Sequence, residues 1–91
     1  MSIKVMHYVW EHSRHKGSAL LTLLAIADHA DDEGIAYPSI PRIARKTRMT
    51  DRNVQLVLKT LQRSGELKMI ANEGPHGCHL FHIVQIGRAH V

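Results

Sequence analysis

Apolar residues recur along this chain at two spacings, and the change from one to the other divides it into elements. From Gly17 to Ala30 they fall on Leu20, Leu23, Leu24 and Ala27, the i, i+3, i+4, i+7 pattern of an amphipathic helix. Leu21 and Ile26 widen that stripe, which predicts a central, mostly buried helix. Asp31-Asp32-Glu33-Gly34 ends it, the glycine being able to take a positive φ. Ile35 to Tyr37 precede Pro38 and are steered away from helical backbone, so a short extended piece is expected there. Ser39 then reads as the N-cap of a second helix, with Pro41 in its first turn and Ile40, Ile43, Ala44 and Thr47 facing inward. After Arg48 and Met49, Thr50 caps a third helix that runs to about Ser64. Its core stripe is Val54, Val57, Leu58 and Leu61, and Gly65 stops it. Beyond this the spacing shortens to two. Leu67 to Ile70 and His79 to Val84 are strand candidates around a turn at 72–77, with Phe81 and Ile83 inward and Leu80 and His82 outward. Residues 3–10 mix β-branched and aromatic side chains and read as a short strand or an extra helical turn. The expected order is three helices followed by a two-stranded hairpin.

Length and composition narrow the class. Ninety-one residues make one small domain, and 44% hydrophobic with 22% charged residues excludes a disordered or low-complexity chain. The longest apolar run, Ala19 to Ala27, is interrupted by Thr22 and is too short for a bilayer, so no membrane partner is expected. Met1-Ser2-Ile3-Lys4 does not open the apolar stretch of a signal peptide. The single cysteine, Cys78, has no internal disulfide partner and suits a reducing cytoplasm. Trp10 and Tyr37 read as plugs of the core rather than stacking platforms. The chain is too small for a large enzyme with a deep cleft, and a binding module is favoured. The last six residues, Ile86-Gly87-Arg88-Ala89-His90-Val91, match the translation of a widely used sequencing-library adapter. The expected domain is therefore residues 1–85, with 86–91 a non-native tail.

Charge changes the picture more. Residues 1–41 carry Lys4, Arg14 and Lys16 against Glu11, Asp28, Asp31, Asp32 and Glu33, a balance of −2. Residues 42–68 carry Arg42, Arg45, Lys46, Arg48, Arg52, Lys59, Arg63 and Lys68 against Asp51 and Glu66, a balance of +6. A basic block of this kind concentrates polyanions around it and points to nucleic acid or an anionic surface. It coincides with the two capped helices of residues 40–61, whose short turn and small Ala44 at the crossing form a helix-turn-helix pattern. Thr50, Arg52, Asn53, Gln55 and Lys59 lie on the N-terminal half or exposed side of the third helix, where a recognition helix meets base edges. Arginine can read guanine, and asparagine or glutamine adenine. Ser39, Arg42, Arg45, Lys46 and Arg48 are placed for phosphates, which position a protein without carrying sequence information.

Three stretches carry a resemblance: Met1 to Met6 with Val9-Trp10, Asp32 to Ser39, and Ile43-Ala44-Arg45-Lys46 through Thr50-Asp51-Arg52-Asn53-Val54 to Leu61. Together they resemble the winged helix-turn-helix domains of bacterial, phage and plasmid replication initiators and regulators, with Gly74 to Gly77 like the glycine-rich wing tip of that family. The resemblance implies a mainly α fold with a small β-hairpin, a three-helix core plus two-stranded wing. It further implies binding of double-stranded DNA in replication initiation or transcriptional regulation of a phage or plasmid, with the third helix in the major groove and Lys68, His76 and His82 on the wing. Two positions depart from the pattern. Leu56 stands where such domains commonly carry arginine or another polar residue, and Arg48 stands in the turn where many carry glycine.

The remaining chemistry is weaker. His76, Cys78, His79 and His82 offer zinc-type ligands, but the spacing fits no familiar finger and an extended strand turns His79 and His82 to opposite faces. No metal or other cofactor is expected. Instead His76 is expected at the wing tip near phosphate with His82 solvent-facing beside it, so that DNA affinity strengthens below about pH 6.5. Asp31-Asp32-Glu33 could hold a divalent ion but reads more simply as a solvated turn. No catalytic constellation is evident, because Cys78 lacks an orienting third residue, and a non-enzymatic domain is expected. The competing reading is a protein–protein module of a replisome or regulatory complex, using Leu56, Leu80 and the outer face of the first segment. A homodimer is compatible with either.

Overall fold

The computed structural model of the protein describes residues 3–74 and 77–85. The chain order is α1 (Ile3–His12), α2 (Gly17–His29), β1 (Ile35–Ala36), α3 (Ile40–Thr47), α4 (Asp51–Ser64), β2 (Leu67–Ile70) and β3 (Leu80–Ile83). Four helices and a small antiparallel sheet give a mainly α architecture, a winged helix-turn-helix. The wing-tip His76 and the expected tail 86–91 lie outside the described residues.

Two elements differ from expectation. Residues 3–10 are neither a strand nor a single extra turn but most of the ten-residue helix α1. Val5 and Val9, one helical turn apart, are both buried, and their packing on α2 outweighs the low helix propensity of a β-branched, aromatic segment. The hairpin also becomes a three-stranded sheet of order β1-β3-β2, because Ile35 and Ala36 pair with His82 and Phe81. On the other side of β3, Leu67, Lys68, Met69 and Ile70 oppose Ile83, His82, Phe81 and Leu80. Alternation then sends Phe81, Ile83 and Leu67 into the core, as expected.

The caps follow the sequence reading. Ser39 Oγ accepts from the Arg42 N–H at 3.2 Å, and Thr50 Oγ1 accepts from the Asn53 N–H at 3.1 Å. Gly65 closes α4 in the left-handed region at φ 87°. After α2, Asp31 Oδ1 accepts from the N–H groups of Glu33 (2.9 Å) and Ile35 (3.0 Å), so this carboxylate builds the turn into β1. Gly34 has φ 86° there, and a Cβ on it would lie 2.6 Å from the Ile83 carbonyl, so the position admits only glycine.

α2 runs through the middle, with Leu23, Ile26 and Ala27 no more than 1% exposed, and packs on α1, α3 and α4. Trp10 and Tyr37 do not plug this core. Trp10 is 60% exposed because it lies on the side of α1 away from Val5 and Val9. Tyr37 is 44% exposed and lies over Gly74, where a Cβ would come within 2.6 Å of its ring. It fastens the hairpin loop to the end of β1.

Candidate nucleic-acid interface

All eight basic residues of the 42–68 block are exposed, while the apolar residues between them are buried or half-buried except Leu56. On α4, Val54, Leu58 and Leu61 face the core. Opposite them Arg52, Leu56, Lys59 and Arg63, spaced i, i+4, i+7 and i+11, form the outermost stripe. Leu56 is 50% exposed between the two leading cations. Asn53 and Gln55 are exposed on opposite flanks of that stripe. Thr50 is exposed too, but its hydroxyl oxygen accepts the capping N–H, which leaves its hydrogen as the free donor. Arg63 was not singled out for this face by the sequence reading, although i+11 from Arg52 brings it there.

On α3, Ser39 likewise caps while Arg42, Arg45 and Lys46 project from the exposed side. Arg48 takes the left-handed conformation at φ 64°, the backbone that glycine supplies in many such turns. Its guanidinium reaches back to the Arg45 carbonyl at 3.2 Å. These arginines, with Lys46 and His29, surround a shallow open recess of about 290 Å³. His29, at the end of α2, was invisible as a member of this group because it is far from it in sequence. Its Nε2 is buried with no partner among the described residues. Its pKa is held below the ordinary 6.5, first by desolvation and then by the Lys46 charge, with Asp28 opposing and Arg42 adding to the shift. Lys46 is less free than expected of a phosphate contact, for it donates to Asp28 Oδ2 in a salt bridge. That hydrogen bond lowers the Asp28 carboxyl pKa from 3.8. Of the eight cations in the block, Lys46 alone is in a salt bridge among the described residues.

The wing elements are placed differently from expectation. Lys68 is exposed on β2 and directly opposite His82. His82 is not solvent-facing as expected: because β1 joins the sheet, it is half-buried on the central strand between Ile35 and Lys68. It lines a cleft with Lys4, Asp32 and Glu33. His79 lies on the core side, its ring edge-on to Phe81 at 6.4 Å between centroids. No group of three His, Cys, Asp or Glu able to hold a metal occurs among the described residues. No helix among them is long and apolar enough to cross a membrane.

Two capped helices packed on one another, a basic outer surface and a three-stranded sheet define the class. The chain belongs to the helix-turn-helix domain family, whose model matches residues 16–65. It is also 33% identical over 70 residues to Protein YmfN of Escherichia coli (strain K12), covering 74% of this chain and 15% of that protein. The chain thus spans a small part of the curated relative it matches. No solved structure gives a significant match. Membership of this family supports DNA binding.

Proposed function

We propose that this domain binds double-stranded DNA sequence-specifically, in replication initiation or transcriptional regulation of a phage or plasmid. The observation that carries the reading is the uniform outward exposure of the basic block, whose members on α4 are Arg52, Lys59 and Arg63. In this reading α4 enters the major groove, where Arg52, Asn53, Gln55, Lys59 and the free donor of Thr50 meet base edges. Ser39, Arg42, Arg45, Lys46 and Arg48 take backbone phosphates, with Lys68 and the hairpin alongside. The domain acts by binding and not by catalysis, in the cytoplasm where its DNA resides, and comprises residues 1–85 with 86–91 foreign to it.

The test is a fluorescence-anisotropy titration with random duplex DNA at several salt concentrations. Binding that weakens along a steep line of log K against log salt supports phosphate contacts and counts them. A folded protein that fails to bind at low salt overturns the reading. One observation, Leu56 at 50% exposure in the middle of the α4 stripe, favours the alternative, a protein–protein module of a replisome or regulatory complex.

A further inference from the structure

α1 buries Val5 and Val9 and turns the rest of its circumference outward. Ile3 at 79% and Trp10 at 60% are the two most exposed large apolar side chains of the described residues. With half-buried Met6 they lie on one flank of the outward face, while exposed Lys4 and Glu11 lie on the other and His7 falls between. The apolar flank continues onto α2, since Met6 and the exposed Leu21 line one groove of about 280 Å³ with Leu24 and Ala25, which Asp28, Lys46 and Thr47 complete. An apolar surface of this kind, rimmed by charges, marks an interaction site rather than scattered exposure.

The charges identify the occupant. When two copies of one helix pair antiparallel about a two-fold axis, each flank meets the same flank of the other copy in reverse order. Ile3 then approaches Trp10 of the second copy, and Trp10 approaches its Ile3. On the other flank Lys4 meets Glu11 of the second copy, and the match occurs twice. The helix dipoles also run in opposite directions. We propose that the outward face of α1 is an interface between two copies of this chain, paired antiparallel about an axis near His7.

At roughly 1.5 Å per residue α1 is about 15 Å long, so the contact falls at the small end of specific interfaces. The dimer is therefore a dissociating one, and its existence does not depend on what α4 binds.

Sedimentation equilibrium over a wide concentration range tests it, with tryptophan emission as a second reading, because Trp10 is the only tryptophan. The expected result is a monomer–dimer equilibrium in which emission moves to shorter wavelength as the dimer forms. Lys4→Glu and Glu11→Lys, both at exposed positions, should each weaken dimerisation by about tenfold or more, since each brings like charges together twice. The double variant K4E/E11K should restore it, and Trp10→Ala should abolish it with the circular dichroism unchanged. A monomer at every attainable concentration overturns the proposal, and so does a dimer indifferent to both charge reversals. A double variant no better than either single one overturns it equally.

Discussion

Asp28 withholds one cation, Lys46, from the basic surface. Its pairing with Lys46 is open to solvent, with Lys46 exposed and Asp28 half-buried, so it contributes only about 0.2–1 kcal/mol to the fold. Its greater effect is to occupy a cation. Asp28→Asn should therefore raise affinity for random duplex DNA and steepen the salt dependence by about one unit of slope, with little change in melting temperature. The lowered carboxyl pKa gives the small stability effect a sign. The stabilisation is fully present above the ordinary carboxyl value of 3.8 and is lost as pH falls through the lower value in the folded state. Thermal melts of the wild type and Asp28→Asn should accordingly converge in acid.

His29 carries the opposite tension. Its pKa is lowered by folding, so its contribution to stability is present above about 6.5 and fades as pH drops through its folded value. A phosphate in the adjacent recess favours the protonated ring, so duplex binding near pH 6 should take up a proton. Calorimetry in two buffers of different ionisation heat would measure the uptake, and His29→Gln should remove it. Arg52 and Arg45 separate base reading from positioning. Arg52→Ala should cost about 1–3 kcal/mol of binding and relax sequence preference, whereas Arg45→Ala should weaken all duplexes alike. Equal effects on every sequence would exclude α4 as the reader.

At the scale of elements, the capped pair α3–α4 was legible because its signals are local. Ser39, Thr50 and Gly65 act on backbone groups within a few residues, and the Val54, Leu58, Leu61 seam repeats often enough to fix a register. Substituting Val54, fully buried, by Asp should unfold the domain, read as loss of a cooperative thermal transition. α1 was not legible because its buried stripe is only Val5 and Val9, and its β-branched and aromatic residues speak for a strand. Trp10 and Tyr37 misled for a related reason: bulk and apolarity argue for burial, whereas helix phase and the bare Cα of Gly74 leave both at the surface. β1 is two residues long and exists only because β3 lies beside it. The turn between α3 and α4 makes a further prediction. Arg48→Gly removes a side chain from a left-handed backbone and should stabilise the fold by up to about 1 kcal/mol in chemical denaturation. The same change should weaken duplex binding by removing a cation from the recess.

For the whole molecule, the contacts that organise the candidate site are those joining distant parts of the chain. Ser13 Oγ donates to Glu66 Oε1 at 2.6 Å and the Arg14 N–H donates to Oε2 at 3.0 Å, tying the α1–α2 connection to the start of the wing. The Asp28–Lys46 pair and the recess at His29 likewise depend on α2 passing under α3. No periodicity announces such meetings, which is why the surface was foreseen in composition but not in its pairing.

The central strand has the last consequence. β3 is hydrogen-bonded along both edges, the Ile83 N–H donates to the Gly34 carbonyl at 2.9 Å, and Tyr37 is set against Gly74 at the loop. Among the described residues, the hairpin is therefore braced at its base by β1 and at the loop by Tyr37. That bracing joins it to the turn between α2 and α3, while β2 packs on α4, so packing sets the spacing between its edge and α4. A ligand gripped by both must supply the adjustment itself. Were that ligand a duplex, sequences that bend or narrow readily would be selected at positions no side chain touches. Preference would then be written partly in the mechanics of the partner, with little ordering left for the protein to undergo on binding.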